Sequence, residues 1–209
     1  MQDVASEIAR HPHGRVPRAL RERQIFELGE ELFAERGYAG ASMDELARRA
    51  GVSKPVIYDL AGSKEELYRA CVSRAAQELY ERVEAAVIAA PDAAAKARAG
   101  GLAFFSFVAE HRRSWEVLFM GDPGRFAADA ARIRGRQAEL QLRLIGDPDV
   151  GLGMQVDPQQ ADAMVHAVNG AYEALANWWY AHPEVSPEML VDWLMALILP
   201  GIERIASGR

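Results

Sequence analysis

Ser42, Ser53, Lys54, Tyr58 and Lys64 lie close together in the stretch SMDELARRAGVSKPVIYDLAGSKEELY, residues 42 to 68. Their types suit the non-covalent recognition of an anionic polymer. Hydroxyl and ammonium groups at helix N-termini bind phosphate, because unpaired backbone N–H groups there already favour negative charge. A lysine and a tyrosine on an exposed helix can reach base edges and thymine methyl groups. Covalent chemistry has no comparable set. His11, His13, His111, His166 and His182 form no H-x3-H or HExxH pair, Cys71 is alone, and the sequence contains neither a G-x-S-x-G elbow nor a Walker motif. No catalytic group, metal or cofactor is expected.

The elements that would hold these side chains are short helices. Ser42 with Glu45, and Ser63 with Glu66, have the spacing of capping boxes, in which the hydroxyl and the carboxylate each satisfy a backbone N–H of the other residue. Ser53 is placed to cap the helix between them. The spacing predicts helices over 43–50 and 54–60, joined by a Gly51-Val52-Ser53 turn. Two such helices cross steeply and turn the second outward, as in a helix-turn-helix that enters the DNA major groove. Lys54 and Pro55 are the expected base-edge contacts. Ser42 and Lys64 are the expected phosphate contacts, and Tyr58 suits either role. Arg48 and Arg49 fit phosphate or the C-terminal helix dipole equally well. Arg15, Arg18 and Arg21 fit an arm along the DNA or a plain disordered tail.

The rest of the chain reads as helical, with no sustained period of two. Ile25, Leu28, Leu32 and Phe33 form one apolar stripe that Gly37 ends. Further helices are expected from Ser63 to near 90, over 93–110 and 112–120, and from Asp122-Pro123 to near 145. Residues 146–156 are expected to form a loop. Two more helices follow, from Asp157-Pro158 to near 182 and from Ser186-Pro187 to near 206, with Pro200 kinking the last. The fold class is therefore all-α. A flexible arm over 1–17 precedes a three-helix DNA-binding domain over 18–64, and a larger helical domain for effector binding and dimerisation spans 65–209.

Half of the residues are apolar, enough for a sizeable core. The longest apolar run, near 193–202, is too short to span a bilayer, and the first residues lack the apolar stretch of a secretory signal. A lone cysteine fits a reducing cytoplasm. The formal net charge of −6 argues against nucleic acid only if taken globally, because arginines gather near the N-terminus and around the helix-turn-helix. Near the C-terminus, Ala163, Ala167, Gly170 and Ala174 make a small-residue stripe that permits close helix approach. The final helix is apolar almost all round, Val191, Met195 and Leu199 included. A homodimer built as a two-fold four-helix bundle would cover both surfaces; a central place in a monomer is the other explanation.

The span from Arg18 to Arg74 resembles the TetR family of bacterial transcriptional regulators. The resemblance rests on Leu32-Phe33, Gly37-Tyr38, Ser42, Ala50-Gly51-Val52-Ser53, Tyr58 and Ser63-Lys64 in that order. Ser42 stands where the family usually has Thr, Pro55 where it has a small residue, and Asp59-Leu60 where it has an aromatic pair. The resemblance implies a nine-helix plan and a small effector bound within each subunit. For this chain the expected effector residues are Phe104, Phe107, Trp115, Phe119 and Trp178, with His111, Tyr172 and Asn177 as polar groups, although on type alone such aromatics are core first. So many aromatics favour an apolar or aromatic effector. Together these readings describe a cytoplasmic repressor that binds a palindromic operator in double-stranded DNA as a dimer and is released by its effector, without a membrane partner. An all-helical sensor that lost DNA binding through Asp59, and an all-helical enzyme, are the alternatives.

Overall fold

The computed structural model describes residues 4–11, 16–112, 115, 127–146 and 157–206. Among them the chain is all-helical: α1 (Val4–Ala9), α2 (Arg18–Gly40), α3 (Met43–Ala50), α4 (Lys54–Ala61), α5 (Lys64–Ala89), α6 (Ala93–Glu110), α7 (Ala127–Gly146), α8 (Pro158–Trp179) and α9 (Pro187–Ala206). The segment 116–126, with Phe119, and residues 147–156 of the loop expected over 146–156 lie outside the described residues; Gly146 closes α7.

Local chemistry accounts for several helix ends. Ser42, Asp92 and Asp157 each accept hydrogen bonds from backbone N–H groups in the first turn that follows, at Glu45, Ala95 and both Gln159 and Gln160. Gly51 ends α3 in the left-handed region (φ 65°, ψ 35°), and its N–H and that of Val52 return to carbonyls of the last turn. Gly37, at φ 65° and ψ 171°, interrupts α2 where the stripe was expected to stop. Beyond that break Tyr38 folds back, its ring stacked on Phe33 (6.2 Å) and edge-on to Tyr68 (5.2 Å).

The N-terminal segment differs from a flexible arm. Val4–Ala9 is helical, Val4 is buried, and Glu7 pairs with Arg23 of α2 at 3.5 Å. The helix is a turn and a half long, so packing on α2 rather than intrinsic propensity must hold it.

The chain forms two compact units, one of Met1–Ala75 with Arg113–Ala127 and one of Ala76–Arg112 with Ala128–Arg209. The division falls inside α5 and not at 64/65, because α5 runs unbroken from Lys64 to Ala89. In the first unit Ile25, Leu46, Ile57 and Leu67 are almost wholly buried. Cys71 is buried among them, and that burial pushes its thiol well above the usual range. In the second unit α9 packs on α6 and buries Leu190 and Val191 along with Phe105, Phe107 and Val108. An Arg98–Asp192 ion pair joins α6 to α9, and Gln141 donates to Asn169 at 2.8 Å between α7 and α8.

Candidate nucleic-acid interface

The helix-turn-helix is α3, the Gly51 turn and α4. Ile57 anchors α4 with no exposed surface, and Ala61 is buried beside it. This leaves Ser53, Lys54, Pro55, Val56, Tyr58 and Asp59 on the outside. Tyr58 is 46% exposed, a large aromatic surface left in water. Val56 belongs to the same face and was not singled out from the sequence. Its signal was its place directly before the buried Ile57, which turns it outward. A methyl-bearing side chain there can meet a thymine methyl.

The two caps differ. At Ser63 the box is complete: the hydroxyl accepts from Glu66 N–H at 3.1 Å, and the Glu66 carboxylate accepts from Ser63 N–H at 2.7 Å. That bond from the Ser63 backbone holds the Glu66 carboxyl below its usual range. At Ser42 only the hydroxyl half forms, at 3.1 Å. The Glu45 carboxylate turns instead to Arg49, which also reaches Glu35 of α2 at 2.7 Å. Arg49 is thereby drawn into an internal ion-pair cluster, with its side chain only 20% exposed. Ser53 stands at the N-cap of α4, but its hydroxyl caps no amide there.

The cations of the face are held ready. Arg18 donates to the Asp59 carboxylate at 2.9 Å and to its carbonyl at 3.2 Å. Arg21 donates to the Ala50 carbonyl at 3.1 Å. Both lie on α2 and brace the ends of α3 and α4, so neither belongs to a disordered arm. Lys54 pairs with Asp44 at 2.7 Å, and that hydrogen bond raises its ammonium above the usual range. Lys64, at the start of α5, has its ammonium 4.5 Å from the centre of the Tyr38 ring, with the Ala39 carbonyl at 3.4 Å. Arg48 is the most open, with a side chain 75% exposed and a loose 3.6 Å contact to Glu45. Positive groups thus surround α4, each one beside an acceptor.

The expected effector residues separate into inner and outer sets. Phe104, Phe107 and Trp115 are buried. The Tyr172 ring packs edge-on to Phe104 at 5.1 Å, and burial pushes its phenol up to about 12. Gly101 makes room for that phenol: a Cβ there would lie 2.6 Å from the hydroxyl. His111 stacks on Phe107 (4.8 Å between ring centres) and lies 2.8 Å from an Arg82 guanidinium nitrogen. Asn177 and Trp178, by contrast, face outward and line no interior wall. Trp178 stacks on His182 (3.8 Å) and meets Trp193 edge-on (6.5 Å).

The expected dimer residues separate as well. Ala163, Ala167, Gly170 and Ala174 all lie on the exposed face of α8. Val191 and Met195 do not: both are buried within the chain, on an α9 that packs against α6, and Leu199 is half-buried. Side chains already covered by their own chain cannot supply a second interface. The exposed face of α9 is Met189, Trp193 and Leu197, with Leu197 76% exposed. Among the described residues, no group of His, Cys, Asp and Glu could hold a metal ion, and no helix is long and apolar enough to cross a membrane.

Comparison with known proteins places this geometry in context. Residues 25–71 match the model for bacterial regulatory proteins of the tetR family, and residues 94–201 match a tetracyclin repressor-like C-terminal domain. The HTH-type transcriptional activator FasR of Mycolicibacterium smegmatis is 40% identical over 108 residues, which cover 52% of this chain and 49% of that protein. The match thus spans about half the length of that relative. A TetR-like transcriptional regulator from Rhodococcus sp. RHA1 superposes with a TM-score of 0.73 at 30% identity, over 90% of this chain and 99% of the other. The fatty acid degradation regulator FadR from Bacillus halodurans shares the fold (TM-score 0.70; 90% of this chain, 97% of the other) at 16% identity.

Proposed function

The chain belongs to the TetR family of bacterial transcriptional regulators, and from that premise we propose that it is a homodimer that binds a palindromic operator and releases it when a small apolar or aromatic effector enters the second unit. The observation that carries the DNA reading is the outward face of α4. Lys54, Pro55, Val56 and Tyr58 are exposed there, while Ile57 locks the helix from behind. Lys54 and Val56 read bases. Ser42, Arg48 and Lys64 hold phosphates at or near helix termini. Arg18 approaches the backbone from the flank of α4, where it also masks Asp59.

The dimer reading rests on a continuous uncovered surface. The small-residue stripe of α8 ends at Trp178, which meets Trp193, and Met189 and Leu197 continue the apolar face along α9. Two-fold pairing would place two α4 helices in successive major grooves, about 34–36 Å apart. The effector reading rests on the buried aromatics of α6 with Tyr172. α5 belongs to both units, so a displacement of its second half would be carried to the helix-turn-helix. Coupling of this kind is typically about 1–3 kcal/mol. The sign of regulation, expected from sequence to be repression although the FasR relative is named an activator, depends on where the operator lies relative to the polymerase site. Such a regulator works in the cytoplasm, where its operator is.

Fluorescence anisotropy with a labelled random-sequence duplex tests the DNA reading. Affinity should fall linearly in log–log form as salt rises. Lys64→Ala should flatten that slope by about 0.9, one phosphate's worth. Absence of binding at low salt would overturn the proposal.

A further inference from the structure

The second unit carries a recess that the DNA and dimer surfaces do not use. It lies where α6 ends and α8 gives way to the turn before α9, and it has a volume of about 200 Å³. Val108, Trp179 and Pro183 supply its apolar walls, with Arg112 and Tyr180 at its edge. An apolar cavity of roughly 150 Å³ holds a benzene molecule, so this space suits a single ring with a small substituent.

The walls are fixed. The Trp179 indole N–H donates to the Val185 carbonyl at 2.6 Å, and its ring meets Phe105 edge-on at 6.1 Å. With its polar atom occupied, Trp179 offers the recess only hydrocarbon. Tyr180 is also tied down, its hydroxyl donating to the backbone carbonyl of Arg112 at 2.8 Å.

The charge at the rim is of one sign. The Arg112 guanidinium lies over the Tyr180 ring, 4.2 Å from its centre. A guanidinium held over a ring face keeps its N–H groups able to donate. Three other arginines of this unit are matched with acids: Arg82 with Glu78 and Glu110, Arg98 with Asp192, Arg134 with Glu173. Among the described residues no carboxylate pairs with Arg112. A planar, pre-oriented donor fork beside an apolar hollow is the complement of a carboxylate on a ring, because carboxylates accept two parallel N–H bonds from arginine.

We propose that this recess is a binding site for a small aromatic monocarboxylate, its ring against Trp179 and Val108 and its carboxylate on Arg112. The site does not depend on the DNA reading: it can exist whether or not its occupant changes operator affinity. Selectivity comes from the charge. A neutral ring of the same size gains the walls but leaves the guanidinium without its partner.

The test is an NMR titration of the full-length protein with phenylacetate, using 2-phenylethanol as the neutral control and following the Trp179 indole resonance, assigned through Trp179→Phe. Phenylacetate should shift that resonance saturably, and Arg112→Gln should weaken its binding by about tenfold or more. The same variant should leave 2-phenylethanol binding unchanged. Arg112 is exposed, so the variant should fold, and an unaltered spectrum away from the recess checks this. No shift of the Trp179 resonance up to millimolar phenylacetate would overturn the site. Equal affinity for acid and alcohol, or an undiminished affinity in Arg112→Gln, would overturn the assigned ligand class.

Discussion

Leu197→Ala is the sharpest probe of the proposed dimer. Leu197 is 76% exposed in the single chain, more than any other large apolar side chain described. Full burial of a leucine side chain contributes about 2 kcal/mol, so covering the part left open contributes about 1.5 kcal/mol. A two-fold interface uses every residue twice, so truncation to alanine should cost the dimer about 2–3 kcal/mol. That is roughly a 30- to 150-fold rise in the dissociation constant. Sedimentation equilibrium over a range of concentrations measures it. Val191→Ala is the matched control. Val191 is wholly buried inside its own chain, so its truncation should cost folding stability, roughly 2 kcal/mol, without a selective loss of dimer. A dissociation constant unchanged by Leu197→Ala, or weakened more by Val191→Ala, would refute the assignment of faces on α9.

Asp59→Asn should strengthen DNA binding and steepen its salt dependence by up to about 0.9 in log–log slope. The substitution frees Arg18 and removes a negative charge beside the groove-facing helix, and anisotropy at several salt concentrations reads both effects. Cys71 should resist a thiol reagent such as DTNB in the native protein and react on unfolding, because burial keeps it protonated; rapid native labelling would contradict this. The cap at the start of α5 should weaken on acidification. The Glu66 carboxyl is held below its usual range in the folded chain, so its contribution is present above the unfolded value near 4.5 and is lost as pH falls through the lower folded value. A lower protection factor for the Ser63 amide at acid pH, relative to its intrinsic exchange rate, is the expected signature, and the pH dependence should be absent in Glu66→Gln.

The helix-turn-helix was legible because its determinants are local. Ser42, Gly51 and Ser63 act on groups within a few residues, and spacing alone displays them. The diversion of Glu45 to Arg49 was not legible, because Glu35 of α2 helps to hold that arginine in place. The Arg18–Asp59 pair joins positions 41 apart in the chain, with no local mark of either partner. α9 could not be oriented from sequence. It is apolar all round, so periodicity does not say which face meets α6, and the tertiary partner decides. The outward turn of Trp178 and Asn177 has the same origin: on a helix rich in large side chains, size does not reveal direction.

Selection of bound duplexes from a random pool asks whether α4 reads an operator sequence. Recognition of a two-fold operator through α4 predicts enrichment of an inverted repeat whose half-site centres are about one helical turn apart, or a multiple of that spacing. It also predicts that Lys54→Ala relaxes base preference at one position in each half-site while the repeat persists. A pool that remains random after repeated low-salt selection with the wild-type protein would contradict it.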